Sequence, residues 1–277
     1  MSAVAAPEFD LEFDLRLTLE SGQVFHWQPD GEGWVGLIDA TPVRVEQAGG
    51  ELRVTPGSEA LVARYFSLDH PLEEIYATFP DDAFSRAALE AYRGLRIIRQ
   101  PRWECLATFL TSSMKQVSHI RAMSLALRAR FGERVESWPT QAYPRPDVLA
   151  RAGEAAIRKC GLGFRAPNLR ETARWVADGR IDLDALAAME TPRAMEELCR
   201  LPGVGRKIAN CVLLFAYERL DAVPVDVWIA RVARSMRGDG SLAELEEFSR
   251  QRFGIYAGYV QQYLFHHARV SKTLPAS

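Results

Sequence analysis

With 277 residues, 48% of them hydrophobic and 25% charged, the chain has the composition of one large or two modest globular domains, and disorder and fibre are excluded. The formal net charge of −2 argues against a nucleic-acid binder that works through a general basic excess, though it leaves room for phosphate held by helix N-termini or local patches. Cys105, Cys160, Cys199 and Cys211 are scattered and form no C-x-x-C pair, so neither a zinc knuckle nor an iron–sulfur cluster is indicated and reduced thiols are expected.

The N-terminus, MSAVAAPEFDLEFD, carries acids and no long apolar run, which does not fit a secretory signal, and no stretch approaches the ~20 apolar residues of a spanning helix. Residues from about 9 to 67 are predicted to form short strands. LEFDLRLTL alternates apolar and polar residues with period 2, and SGQVFHWQ, GWVGLID, PVRVEQ and ELRVTP follow between Gly, Asp and Pro clusters, which points to an antiparallel sheet. After about residue 70 the spacing becomes helical. PLEEIYATF, AFSRAALEAYRGL, the long run WECLATFLTSSMKQVSHIRAMSLALRARFG, EAAIRKCGLG, ALAAMETPRAMEELCRL and YAGYVQQYLFHHARV carry apolar faces at three- and four-residue intervals. The predicted fold is α+β, a small N-terminal antiparallel sheet domain followed by a mainly helical body, divided as residues 1–95 and 96–277.

Residues 191–235 carry the chemistry. Thr191-Pro192 predicts a helix start, with a capping hydroxyl ahead of proline at the first helical position. The helix is expected to end near Leu201, where LPGVG makes a tight turn whose Gly203 and Gly205 can take φ > 0 and approach a ligand closely. A second helix is expected from Arg206. A glycine turn that opens a helix presents backbone N–H groups and the positive dipole end to an anion, and it serves equally as a plain αα-hairpin. Lys207 falls in the first turn of that second helix, where the dipole disfavours a cation and burial would favour the neutral amine, a nucleophile able to form Schiff bases. A solvated surface lysine is the alternative. Pro224 holds the chain extended so that Asp226 becomes the N-cap of a helix from Val227. Asp226 either only caps, or also takes a proton and offsets positive charge on a sugar.

LPGVG-x-K-x-A-x-C followed by VPVDV resembles the helix-hairpin-helix–GPD superfamily of DNA glycosylases, and within it the 8-oxoguanine DNA glycosylase family. LTLESGQVFHW, YFSLDHPLEEIY, GLRIIRQPRWECLATFLTSS, KCGLGFRAPNL and YAGYVQQYLF fit the same family in the same order, so the resemblance covers nearly the whole chain. It implies that Lys207 attacks C1′ of the damaged nucleoside and that Asp226 is the required carboxylate. The lesion carries a proton on N7 where guanine has an acceptor. Gly22 matches the family glycine whose carbonyl tests for that proton, and it reads otherwise as a strand–turn glycine. Gln261 and Phe265 lie one helical turn apart, so one can bond a Watson–Crick edge and the other stack on the ring, with Cys211, one turn from Lys207, covering the opposite face. Core packing is the other reading of Cys211 and Phe265. Phe164 matches the family's aromatic wedge, or else caps a helix end, and Arg165 after it is expected to touch the opposite strand. Gly203, Gly205 and Ile208 of the hairpin, with Lys115 and Gln116, complete the implied DNA contacts.

The chain departs from the family at one function, reading the base opposite the lesion. Where the family has asparagines after its SS pair, the sequence runs Ser112-Ser113-Met114-Lys115-Gln116; the family's arginine for the opposite cytosine is His119; its wedge tyrosine is Phe164. Loss of a bidentate contact worth ~1–3 kcal/mol is expected to relax the preference for cytosine by about tenfold or more. The histidine that the family places two residues after its aspartate is Trp228, whose indole N–H lacks a charge. The resemblance implies base excision with β-elimination on damaged double-stranded DNA by a monomer in the cytoplasm or a nucleus, with no cofactor, no catalytic metal and no membrane partner. Two rivals are an alkylpurine glycosylase of the same superfamily, which generally lacks the lysine, and a non-catalytic DNA-binding module.

Overall fold

The computed structural model describes residues 2–3, 12–48, 50–112 and 115–275. Five antiparallel strands, β1 (Ser2–Ala3), β2 (Gln28–Asp30), β3 (Gly33–Ile38), β4 (Thr41–Ala48) and β5 (Glu51–Val54), lie in the order β1-β5-β4-β3-β2. Trp34 faces Val45 and Val35 faces Arg44 across β3 and β4. Alternate residues Val43, Val45, Leu52 and Val54 point inward and are buried against Trp27, Tyr65 and Phe66, as the period-2 pattern of the strands requires. The expected α+β class and the antiparallel sheet are both observed.

Two of the expected strands are not. LEFDLRLTL forms the helix Leu15–Glu20, because Asp14 caps it, its carboxylate accepting from Leu17 N at 2.8 Å. Leu15, Thr18 and Leu19 are then buried at spacings of three and four, a pattern that a short alternating run also satisfies. In SGQVFHWQ the chain from Ser21 to Trp27 makes no ladder. The Gln23 side chain takes that part: its amide donates to Arg96 O at 2.8 Å and its oxygen accepts from Ile98 N at 2.9 Å.

Helices from Glu59–Tyr65 onward build the body. The run with helical spacing over residues 103–132 forms two helices, Arg102–Thr111 and Val117–Phe131. EAAIRKCGLG is likewise broken: the helix Glu154–Ile157 passes into a wider turn over Arg158–Leu162 that Gly161, at φ +85°, kinks before Ala166–Ala177 begins. The largest core cluster joins Phe25, Leu106, Ile157, Leu198 and Leu213, and a third cluster joins Phe84 and Ala88 of the helix Ala83–Ala91 to the helices Val227–Arg237 and Ala257–Ser271. Both clusters thus join residues before about 95 to helices from later in the chain. No helix is long and apolar enough to cross a membrane among the described residues.

Candidate active site

The hairpin is built as expected in outline, with helices Thr191–Cys199 and Arg206–Tyr217 joined at Leu201–Gly205. Leu198, Leu201, Val204, Ile208 and Val212 bury its apolar side. The first helix starts one residue early: Glu190 occupies the cap position and Thr191 is already helical, with no side-chain cap bond. Gly203 takes φ +80° and lies so close to Asn168 that an added Cβ would stand 2.5 Å from its Nδ2. Gly205, expected to share that conformation, is extended at φ −104° and ψ 178°, with open space beside it. It therefore leaves the helix start uncovered: the first intrahelical bond is Ala209 N to Gly205 O at 3.0 Å, so the N–H groups of residues 206–208 point outward while the Ile208 side chain is packed in the core.

Lys207, on the next position of the helix, is half-buried at the wall of a cleft of about 900 Å³. Its Nζ stands 5.7 Å from the centre of the Phe109 ring, which stacks on Phe215 at 5.3 Å, and Cys211 lines the same cleft one helical turn on. Burial pushes the Cys211 thiol above its ordinary value, against the opposing pull of Lys207. Asp226 faces the same cleft and caps Val227–Arg237, its Oδ1 accepting from Trp228 N at 3.0 Å and Ile229 N at 2.9 Å. Burial raises its pKa; the two N–H groups and the nearby Lys207 charge limit that rise. The capping geometry fixes the carboxylate, and the extended entry through Pro224, which also lines the cleft, brings it there.

Gly22, Cys211, Gln261 and Phe265 line the same cleft. Gly22, at φ +91°, is fixed by its neighbours: Gln262 donates to Ser21 O at 3.2 Å and Arg269 to Glu20 O at 3.1 Å, both from the last helix. An added Cβ at Gly22 would touch Phe265 and Val117 at 3.4 Å. Gln261 is only 3% exposed, and its Oε1 has no hydrogen-bond partner. A buried acceptor with no donor costs about 1–3 kcal/mol, so this oxygen is open to a donor that enters the cleft.

The remaining expected residues divide. Lys115, Gln116 and Trp228 are at the cleft rim. His119 is exposed in the first turn of Val117–Phe131, and Phe164 is 63% exposed; neither lines the cleft. Arg165, expected to reach a DNA strand, is instead 4% exposed, with its guanidinium 4.2 Å from the centre of the Phe164 ring. The reason is that the turn 163–165 runs straight into the helix Ala166–Ala177, which folds that side chain inward. Met114 lies outside the described residues. Among the lining residues that escaped the sequence reading are Phe109, Arg269 and Lys272. Arg269 sits four residues after Phe265 and eight after Gln261, on the same helical face, a spacing that could have found it. Nothing local marked the other two.

A sheet-bearing lobe set on a helix-hairpin-helix body, with a lysine and a capping aspartate facing one cleft, defines the class of lysine-bearing helix-hairpin-helix DNA glycosylases. Residues 7–106 match the family model of the 8-oxoguanine DNA glycosylase N-terminal domain, and residues 190–215 match the helix-hairpin-helix motif. The chain is 31% identical to a probable N-glycosylase/DNA lyase of Methanothermobacter thermautotrophicus, over 95% of this chain and 96% of that protein. It is 29% identical to an N-glycosylase/DNA lyase of Arabidopsis thaliana, over 92% of this chain and 77% of that one. Its fold is similar, with a TM-score of 0.88 at 27% identity and coverage of 94% and 93%, to the 8-oxoguanine glycosylase/lyase of Clostridium acetobutylicum solved with DNA containing cytosine opposite 8-oxoguanine. The chain belongs to the 8-oxoguanine DNA glycosylase family of N-glycosylase/DNA lyases.

Proposed function

We propose that this protein excises 8-oxoguanine from duplex DNA and then nicks the strand, using Lys207 as nucleophile and Asp226 as the assisting carboxylate. The observation that carries the reading is the single cleft lined by Lys207, Asp226, Gly22, Gln261 and Phe265, in which Gln261 Oε1 lacks a partner. An extruded base in that cleft stacks on Phe265, donates its edge to Gln261 and is tested at N7 by the Gly22 carbonyl. Lys207 gives up a proton as its Nζ bonds to C1′; the C1′–N9 bond breaks, and the base departs with its electron pair and takes up a proton in exchange. Asp226 offsets the positive charge on the sugar as that bond opens. Ring opening leaves a Schiff base between Lys207 and C1′. Removal of a C2′ proton then expels the 3′ phosphate by β-elimination. The hairpin N–H groups of residues 206–208 grip backbone phosphate from outside.

Phe164, exposed and backed by the Arg165 guanidinium, supports a wedge that fills the gap left by the base. With Met114 and His119 in place of hydrogen-bonding asparagine and arginine, the enzyme discriminates weakly among opposite bases. Two experiments test these statements. Borohydride reduction with an 8-oxoguanine:cytosine duplex traps a covalent adduct that Lys207→Gln loses; base release with no adduct in the native protein is the result that assigns it to the water-using alkylpurine type. Excision opposite C, A, G and T proceeds at rates within about tenfold of one another; a strict requirement for cytosine overturns the relaxed reading.

A further inference from the structure

The chain contains only four lysines, Lys115, Lys159, Lys207 and Lys272, among 34 basic residues, and three of the four line the cleft. Lys207 has its proposed role, and Lys115 lies beside Gln116 on the lining. Lys272 stands at the end of the helix Ala257–Ser271, in the left-handed conformation at φ +61°, with its Nζ 5.0 Å from the centre of the Trp228 ring. The Arg231 guanidinium approaches the same ring at 5.3 Å. Two cations thus converge on one indole. Among the described residues neither is paired with a carboxylate, whereas Arg234 and Arg237 of the same helix meet Asp239 and Glu244. A cation–π contact is worth ~0.5–1 kcal/mol at an exposed site, so the ring orients the two charges without neutralising them.

We propose that Lys272, held against Trp228 and flanked by Arg231, binds a backbone phosphate of the strand whose nucleotide occupies the cleft; this rests on the reading of the cleft given under the proposed function. Trp228 is tied to the chemistry through its own backbone, since its N–H donates to Asp226 Oδ1. A phosphate oxygen accepting from Lys272 Nζ is therefore registered to the carboxylate through one rigid residue. Trp228 itself brings no charge to the phosphate, and the flexible lysine stem, lying along the indole, carries one to it. The competing role of Lys272 is purely local: a cation at a helix C-terminus, favoured by the helix dipole.

The two roles separate in the salt dependence of DNA binding. The probe is a duplex bearing a single non-hydrolysable abasic analogue, and the dissociation constant is measured across a series of NaCl concentrations. Each phosphate contact contributes about 0.9 to the slope of log K against log salt. Lys272→Gln is expected to lower that slope by about one contact and to weaken binding on the order of tenfold near 0.1 M salt. Lys272→Arg keeps the slope, and Arg53→Gln, the same loss of charge on β5, changes neither quantity. An unchanged slope in Lys272→Gln, with only a lowered Tm, overturns the proposal in favour of the helix-end role. If the native protein binds the probe in a Lys272-dependent way and yet traps no adduct with 8-oxoguanine DNA, the excision reading falls and the phosphate site stands. If it binds no duplex, the phosphate site falls.

Discussion

Asp226 serves two ends that pull against each other. As a cap it accepts two backbone N–H bonds, and as a buried carboxylate it is harder to ionise than a free aspartate, for which the ordinary value is 3.8. Burial is the larger influence, so the folded protein favours the protonated form and ionisation above the raised pKa costs stability. Asp226→Asn retains the capping oxygen and removes the charge. The variant is expected to lose base excision by two or more orders of magnitude while its Tm stays level or rises by about 2–4 °C, measured by thermal unfolding beside single-turnover excision. The native enzyme's acid limb is expected above the free-aspartate value, with activity falling as pH drops through it; a limb at or below 3.8 contradicts the burial argument. The cap was legible in the sequence because Pro224 and the helical run after Val227 leave Asp226 little other place. Gln261 and Phe265 were legible as one helical face. The burial of Arg165 was not, because it depends on how the turn 163–165 leads into the helix Ala166–Ala177, which the local residue types do not fix.

The hairpin is the element whose backbone the site depends on most. Gly203 combines a positive φ with an approach to Asn168 that leaves no room for a Cβ. Gly203→Ala is expected to destabilise the protein by about 1–3 kcal/mol through strain and collision together, read from urea unfolding. Adding Asn168→Ala relieves the collision but not the strain, so the double variant recovers part of the loss; full recovery shows that strain is absent. Sequence reasoning found the hairpin and its second helix from the glycines and the apolar spacing, and erred on Gly205, where an extended residue serves as well as a left-handed one. It took Leu15–Glu20 for a strand because a six-residue helix offers too few turns to separate its periodicity from an alternating one.

At the scale of the molecule, a buried ion cluster joins parts distant in sequence. Glu104 of Arg102–Thr111 meets Arg128 of Val117–Phe131, and its Oε1 stands 3.2 Å from Nδ1 of His26, in the segment that leads into the sheet. Burial opposes ionisation of Glu104, but Arg128 and His26 outweigh it and hold the carboxyl at about 2, against 4.5 for the free side chain. His26 is pushed down, by burial first and Arg128 second. Glu104→Gln leaves the Arg128 charge buried and is expected to cost about 3–5 kcal/mol in urea unfolding. A group with a depressed folded pKa contributes its stability above the unfolded value and loses it as pH falls, so the native protein should weaken between about 4.5 and 2 and the variant should be flatter there.

The sequence by itself determined the class of fold, the helix-hairpin-helix and the lysine–aspartate pair, because these are written in local spacing: apolar periods, glycines at a turn and a capping residue after proline. Only the tertiary structure decided what surrounds Lys207. Phe109 comes to it from another helix, Arg269 and Lys272 from the far end of the chain, and Gly22 from the N-terminal part, where Gln262 and Arg269 hold its turn. The physical reason is that a cleft is a property of surfaces brought together by burial of distant apolar faces, and burial is not encoded at any one of the positions that line it.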